Sequence, residues 1–236
     1  MRYVRDVQWQ GTYAQPLVTD LRRREEGIRI KHWVGENSVK MYDKPGGILR
    51  VETTINNPSE FKSYRTREGH AEDQKQWLTM RRSTADLNRR AEVSHAATQR
   101  YLNALSSLEA DQTLGELIDG ICHPTRWKKQ RARALRPWSP EDQALLQAIA
   151  RGEFTVNGMR NRDLRVMLHP GVHTEQHKRA LAGRITRQLR LLRAHGLIRK
   201  IPRTQRYILT EKGQQLTTAI LQANSLAVKE LTQLAA

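Results

Sequence analysis

Residues 189–213 read LRLLRAHGLIRKIPRTQRYILTEKG, and this stretch decides the fold of the second half of the chain. Its first part closes a helix read over 174–195. At 100° per residue, Leu181, Ile185, Leu189 and Leu192 fall within a ~80° stripe, the mark of a helix with one buried face. Gly196 ends the helix, as glycine commonly does. Residues 197–201 and 206–209 alternate as two short strands around a turn. Thr210-Glu211-Lys212-Gly213 opens a final helix carrying Leu216, Ile220, Ala223, Ala227, Leu231 and Leu234.

Upstream, Ser139-Pro140-Glu141-Asp142 is a strong helix start. Serine caps, proline suits the first helical position, and the acids favour the positive end of the helix dipole. This helix carries Leu145, Leu146 and Ile149 and stops at Gly152. Asn157-Gly158 breaks the chain, residues 160–168 form a short helix, and His169-Pro170-Gly171 stops it. The order is helix, helix, helix, strand, turn, strand, helix, that of a winged helix-turn-helix domain.

The residues Leu192, Gly196, Leu197, Ile198, Arg199, Tyr207, Leu209, Thr210, Lys212 and Gly213 form a GL(I/V) step, a basic hairpin and an LTEKG helix start. In this the segment 139–221 resembles MarR-type winged-helix regulators. The resemblance implies that fold and the binding of double-stranded DNA; it names no target.

The face opposite the apolar stripe of helix 174–195 supplies the candidate contacts. Gly183, Arg187 and Arg190 lie there, flanked by Arg184, Thr186 and Arg193. Arginine chelates guanine O6 and N7 or grips phosphate, and glycine allows close approach in a major groove. The wing adds Arg199, Lys200, Arg203 and Arg206 for flanking phosphates or the minor groove. Arg160, Arg162 and Arg165 on the short helix are further phosphate candidates, with a solvated face as the alternative. The stretch 123–138, containing TRWKKQRARALRP, reads as a basic linker or arm. In it Arg126, Lys128, Lys129, Arg131 and Arg133 follow the DNA backbone or are simply solvated, and Trp127 stacks or packs.

Charge supports a polyanionic partner. The chain's 236 residues carry a formal net charge of +17 and a pI near 10.6. Residues 125–206 hold 20 Lys and Arg against five Asp and Glu, a net of +15, so nearly all the excess sits in one stretch. That concentration is an electrostatic footprint rather than general alkalinity. No apolar run approaches the ~20 residues of a membrane span. The N-terminus lacks a signal-peptide core, and a lone Cys122 excludes an intramolecular disulfide, so cytoplasmic residence is expected. The stripe on the last helix is a candidate homodimer contact, or it packs on its own domain.

The N-terminal half, residues 1–122, is expected to be a separate α+β unit. A weak strand is read at 8–12 and a solvated charged segment at 21–26. Residues 28–55 alternate in period two, with Ile28, Ile30, His32 and Val34, then Val39 and Met41, then Leu49, Val51, Thr53 and Ile55 inward. Gly and Pro turns break the pattern into a three-stranded antiparallel meander. Residues 61–76 read as polar and irregular, 86–109 as a helix able to cover the sheet through Leu87, Ala91, Ala97, Tyr101, Leu105 and Leu108, and 114–121 as a short helix. The fold class is thus α+β, a small meander packed on helices followed by the winged helix in 139–236.

One enzyme reading competes. Lys40, Tyr42, Asp43, Arg50 and Glu52 can cluster on the polar side of adjacent strands, and paired carboxylates there would bind a divalent metal for phosphodiester cleavage. The YDK tyrosine and the Arg-x-Glu strand resemble pieces of plasmid rolling-circle replication initiators, which implies nicking or replication initiation. Cross-strand ion pairs of Glu52 with Lys40 or Arg50 are the structural alternative. His32, His70, His95 and His123 lack metal-ligand spacing, and no cofactor fingerprint is present, so no cofactor is expected. MYDK at 41–44, LRVETTIN at 49–56, GEF at 152–154 and RNRDLR at 160–165 also resemble a set of bacterial proteins of unassigned activity. Those extend further at the N-terminus, which implies that the chain is a C-terminal portion. The function expected is a DNA-binding regulator or mobile-element accessory protein.

Overall fold

In a computed structural model, residues 17–24, 27–44, 47–70, 74–106, 113–171 and 174–225 are described. The chain is a mixed α+β protein in two compact units, Met1–Leu102 and Asn103–Ala236. The strand expected at 8–12 lies outside the described residues.

The first unit is built on a four-stranded antiparallel meander, β1 (Leu17–Arg24), β2 (Gly27–Val34), β3 (Asn37–Lys44) and β4 (Ile48–Thr54), paired in chain order. It has one strand more than expected. The charged segment 21–26 is exposed as expected at Leu21, Arg22 and Arg23, but its first residues complete β1, where Leu21 faces Ile30 and Asp20 faces Lys31. The Thr19 hydroxyl bonds His32 Nδ1 at 2.8 Å, and Asp20 pairs with Arg29, which hold this edge strand in register. The alternation is as read from sequence, but Leu49, expected inward, is exposed near the start of β4. One face stacks Ile30, Met41 and Val51, then His32, Val39 and Thr53 across the strands. Val39 on that face is fully buried.

Helix α1 (Leu87–Ser106) packs on this face. Thr98 Oγ1 bonds Thr53 Oγ1 at 3.0 Å, and the Tyr101 ring lies 5.6 Å from that of His32. Its buried stripe is Val93, Ala97 and Tyr101, four residues apart. Leu87 and Leu105, expected inward, are exposed because the covered face is narrower than the apolar pattern. Leu108 lies outside the described residues.

The span expected to be irregular contains a hairpin, β5 (Lys62–Thr66) with β6 (Lys75–Thr79). Phe61 and Met80 at its base form a small core with Val93 and Ile55, which gives this polar segment a reason to order. Buried Asp86 receives the Arg81 amide at 2.8 Å and its Nε at 3.2 Å. Burial opposes its charge, but these bonds outweigh that and hold its carboxyl below the usual range.

The second unit begins earlier than expected, because α2 (Leu114–Cys122) packs on α7 (Glu211–Ser225). Between them lie the hairpin β7 (Thr125–Trp127) and β8 (Gln130–Ala132), α3 (Pro140–Ile149), the one-turn α4 (Phe154–Asn157), β9 (Met159–Arg160), α5 (Asn161–Leu168), α6 (Glu175–Ala194), β10 (Ile198–Lys200) and β11 (Arg206–Leu209). Strands β10, β11 and β9 form a three-stranded sheet in that order. Ser139 caps α3 by accepting the Asp142 amide.

The linker expected at 123–138 is folded structure. Leu135 is 1% exposed, and its amide donates to the Ile121 carbonyl at 2.9 Å. Arg133 grips Asp142 at 2.7 and 2.6 Å.

Two glycines fix close approaches. A Cβ on Gly213 would stand 2.0 Å from the Leu197 carbonyl oxygen, and one on Gly158 would stand 2.5 Å from that of Tyr207. Gly158 is also left-handed, at φ +70, as it turns the chain into β9 beside β11. Thr210 donates its amide to the Leu197 carbonyl and its hydroxyl to that of Gly196, so the glycine step and the start of α7 interlock. In α7, Leu216 and Ile220 are fully buried in their own unit, so that part of the stripe is not a free dimer surface. Ala227, Leu231 and Leu234 lie outside the described residues. No helix among the described residues is long and apolar enough to cross a membrane.

Candidate nucleic-acid interface

Helix α6 has the two faces its sequence requires. Ile185 and Leu192 are fully buried and Leu189 nearly so, while Leu181, nearer the start, is half-buried. Gln188 and Leu191 join them inward, so the buried arc is wider than the four-residue stripe. Helix α5 packs beside α6, and Asn161 links the two by donating to the Ala182 carbonyl at 2.8 Å and to the Thr186 hydroxyl at 3.0 Å.

The outward residues do not all remain available. Arg187 is exposed and has no hydrogen bond or ion pair among the described residues. Its Nη1 lies 3.7 Å from where a Cβ of Gly183 would stand, so the two share one patch of the helix surface. Arg184 is exposed but bonds Glu141 at 2.9 Å. The Thr186 hydroxyl donates to the Ala182 carbonyl while accepting from Asn161, which commits it to the helix pair. Arg190 donates to Gln130 at 2.6 Å. The Arg193 guanidinium sits 4.5 Å from the Trp127 ring centre and 6.0 Å from that of Tyr207. The last two therefore contact the β7–β8 hairpin, Arg193 half-buried against it and Arg190 still exposed.

The hairpin of β10 and β11 presents Arg199 exposed and Lys200 half-buried. Arg203 is exposed on the turn, at φ +58. Arg206 departs from expectation. It is 4% exposed and donates to the Asn157 carbonyl at 3.3 Å, so it braces β11 and contributes nothing to an outer surface. Alternation explains this: Arg206 shares the inward parity of Ile208 on β11. On α5 and its approach, Arg160, Arg162 and Arg165 are half-buried, and Arg165 donates to the Lys178 carbonyl at 3.4 Å.

Two residues on the open face were missed. Gln176 and Arg179 are exposed in the first turns of α6. Carrying the 100° step back from Arg187 places both on the outward side with Gly183, so the signal was in the sequence. Between Gln176 and Arg187 the outer face of α6 offers amide and guanidinium groups around small residues, Ala180 and Gly183.

The folded arm stands on the same side. Strand β7 packs on α6, and the hairpin crosses the outer face of the helix at Arg190 and Arg193. Its two-residue tip is Lys128-Lys129, both left-handed at φ +48 and +63, and Lys128 Nζ lies 5.1 Å from the Trp127 ring. Between hairpin, α3 and α6 opens a cleft of about 540 Å³ lined by Arg131, Arg133, Arg184, Arg187 and Arg190, with Glu141 as its one carboxylate. Arg133 and Arg184 are neutralised by Asp142 and Glu141; Arg131 and Arg187 have no acidic partner among the described residues. Beneath the hairpin, His195 caps α6 and donates Nε2–H to the Arg133 carbonyl at 2.8 Å. Burial first, and then the charges of Lys212 and Arg133, pull its pKa below the ordinary value.

The polar cluster on the N-terminal sheet is not assembled as the enzyme reading requires. Lys40 pairs Glu52 across the strands at 3.2 Å, the cross-strand alternative, and Arg50 pairs it along β4 at 2.6 Å. Asp43 stands opposite Leu49, and the two-residue alternation puts it on the other face from Glu52. The two carboxylates cannot share an ion across the sheet. Among the described residues, no group of three or more His, Cys, Asp or Glu is placed to hold a metal.

Comparisons with family models, with curated proteins and with solved structures return no match for this chain. Its own geometry carries the argument.

Proposed function

We propose that residues 139–225 form a winged helix-turn-helix domain that binds double-stranded DNA. Helix α6 is the element that enters the major groove, α5 is its supporting helix, and the β10–β11 hairpin is the wing. One observation carries this reading: the open face of α6 from Gln176 to Arg187 lies opposite the buried stripe and carries exposed Gln176, Arg179 and Arg187, the last without an acidic partner among the described residues.

The residue types suit the task. Arginine bonds guanine O6 and N7 through two nitrogens, and glutamine bonds adenine N6 and N7 in the same way. The N-terminal part of such a helix contacts the bases, and here the C-terminal part is covered by the β7–β8 hairpin. Arg187, Arg179 and Gln176 are therefore the base-reading candidates, with Gly183 giving close approach. Arg199 and Arg203 contact flanking phosphates, which position the domain without reading sequence. The interlock of Gly196, Leu197, Thr210 and Gly213 gives physical substance to the MarR-like resemblance of those residues. A regulator or a mobile-element accessory protein fits equally.

Genomic-fragment selection with the full chain, followed by affinity measurement in a salt series, tests the reading. Tight binding without metal is expected, with affinity falling steeply as salt rises. Failure to retain any duplex at low salt overturns it.

A further inference from the structure

We infer that the β7–β8 hairpin, Thr125–Ala132, is a second DNA-contacting element that grips phosphates beside the groove entered by α6. The inference rests on the groove-docking reading above and adds to it a surface that the winged-helix order does not contain.

Position comes first. The hairpin lies across the outer face of α6, joined to it by Arg190 with Gln130 and by Arg193 over Trp127. Any duplex that receives the open part of that face must also meet the hairpin. A helix with its side chains is ~10–12 Å across, and the major groove is ~12 Å wide. The groove therefore cannot hold both elements, and the hairpin must meet the flanking sugar-phosphate strand.

Charge comes second. From Thr125 to Arg133 the chain has five basic residues and no acidic one. Arg126 and Arg131 are direct cross-strand neighbours, a like-charge pair that weakens a hairpin. The tip is occupied by two lysines in the left-handed conformation, where Asn-Gly is the favoured pair. Each of these features opposes folding, the strained tip is of the kind retained at functional sites, and the repulsion of Arg126 and Arg131 is offset when phosphates approach. Arg131 and Arg187 both line the 540 Å³ cleft, so a phosphate there would meet an arm residue and a helix residue.

Rigidity comes third. The base of the hairpin is tied down by Arg133 on Asp142, by buried Leu135 and by His195 on the Arg133 carbonyl. The lysines are presented on a held scaffold, which lowers the ordering cost of contact.

The test uses Lys128→Asn combined with Lys129→Gly in the full chain. This pair removes two charges while supplying the residues that a two-residue hairpin turn prefers, so the hairpin is kept. Binding of a short labelled duplex of mixed sequence is followed in a potassium chloride series, with melting temperature measured in parallel. The expected result is a salt slope reduced by about 2, since each phosphate contact contributes about 0.9. Affinity should fall by a similar factor on every sequence, with the melting temperature unchanged or raised. Adding Arg131→Gln should remove about one further unit of slope. An unchanged slope in the double variant, where Arg187→Ala weakens binding, overturns the hairpin assignment and leaves the groove reading standing. No duplex binding by the unaltered protein overturns the groove reading itself, and the hairpin role falls with it.

Discussion

Arg133 holds both carboxylate oxygens of Asp142, at 2.7 and 2.6 Å, and Asp142 is 1% exposed. Burial disfavours the Asp142 charge, but the Arg133 guanidinium and the Arg136 amide outweigh it and hold the carboxyl below its ordinary range. The pair fastens the hairpin segment to the first turn of α3. Arg133→Ala leaves a buried carboxylate with one amide donor. It should cost about 2 kcal/mol, less than a fully buried broken pair, because Arg133 is half exposed and water can replace it. Urea unfolding measures this, and a midpoint equal to that of the unaltered protein would contradict the proposed fastening.

Arg187 and Arg206 should separate binding from folding. Arg187 is exposed without an ion pair among the described residues, so Arg187→Ala should leave stability within about 0.5 kcal/mol and weaken duplex binding by about 1–3 kcal/mol. Arg206 is buried on β11, so Arg206→Ala should lower the unfolding midpoint, and any loss of affinity should follow the unfolded fraction. If Arg206→Ala binds poorly while fully folded, its exclusion from the interface is wrong.

Gly183 offers a test in which stability and affinity move in opposite directions. An added Cβ would meet only Arg187 Nη1, at an ordinary 3.7 Å. Replacing a helix-interior glycine by alanine should stabilise the protein by roughly 0.5–1 kcal/mol. The same methyl should hinder close approach of DNA, so Gly183→Ala should melt higher and bind more weakly. Equal or tighter binding would remove the reason for glycine at this position.

His195 should make stability depend on pH. Its folded pKa is pushed below 6.5, first by burial and then by Lys212 and Arg133. Between about 6.5 and that lower value the unfolded chain takes up a proton that the folded chain refuses. Stability should therefore fall as pH drops below about 6.5 and level off once the folded form is also protonated. In His195→Asn that part of the slope should be missing. Urea midpoints at several pH values between neutral and acid decide it, and identical slopes in both proteins would assign the dependence elsewhere.

The order of elements in the second unit was legible because its signals are local. Ser139-Pro140 starts α3, Gly196 ends α6, and the Leu189 and Leu192 spacing fixes the buried side of α6. The meander was legible for the same reason, since Ile30, Met41 and Val51 alternate with charged residues. What escaped depends on partners distant in sequence. Residues 125–133 look like a solvated basic run until Arg133 with Asp142, Gln130 with Arg190, and Trp127 with Arg193 give them contacts. Strand β1 has little apolar content, and only its pairing with β2 orders it. Arg206 looks like its basic neighbours in the sequence, and only the parity of β11 turns it inward. Gln176 and Arg179 needed no distant partner, and extending the outward face from Gly183 about two turns toward the N-terminus reaches them.

On the groove-docking proposal, the hairpin against the C-terminal part of α6 sets how much sequence one copy of this domain can distinguish. Gln176 to Arg187 rises only ~17 Å along the helix, against ~3.4 Å per base pair, so its reach is about five base pairs. A word of that length recurs by chance on the order of once per thousand base pairs, far too often to mark one locus among the competing sites of a genome. Under the groove-docking reading, discrimination therefore has to come from two such words at fixed spacing or from information outside this helix, and the hairpin that shortens the readable face is the feature that imposes that requirement.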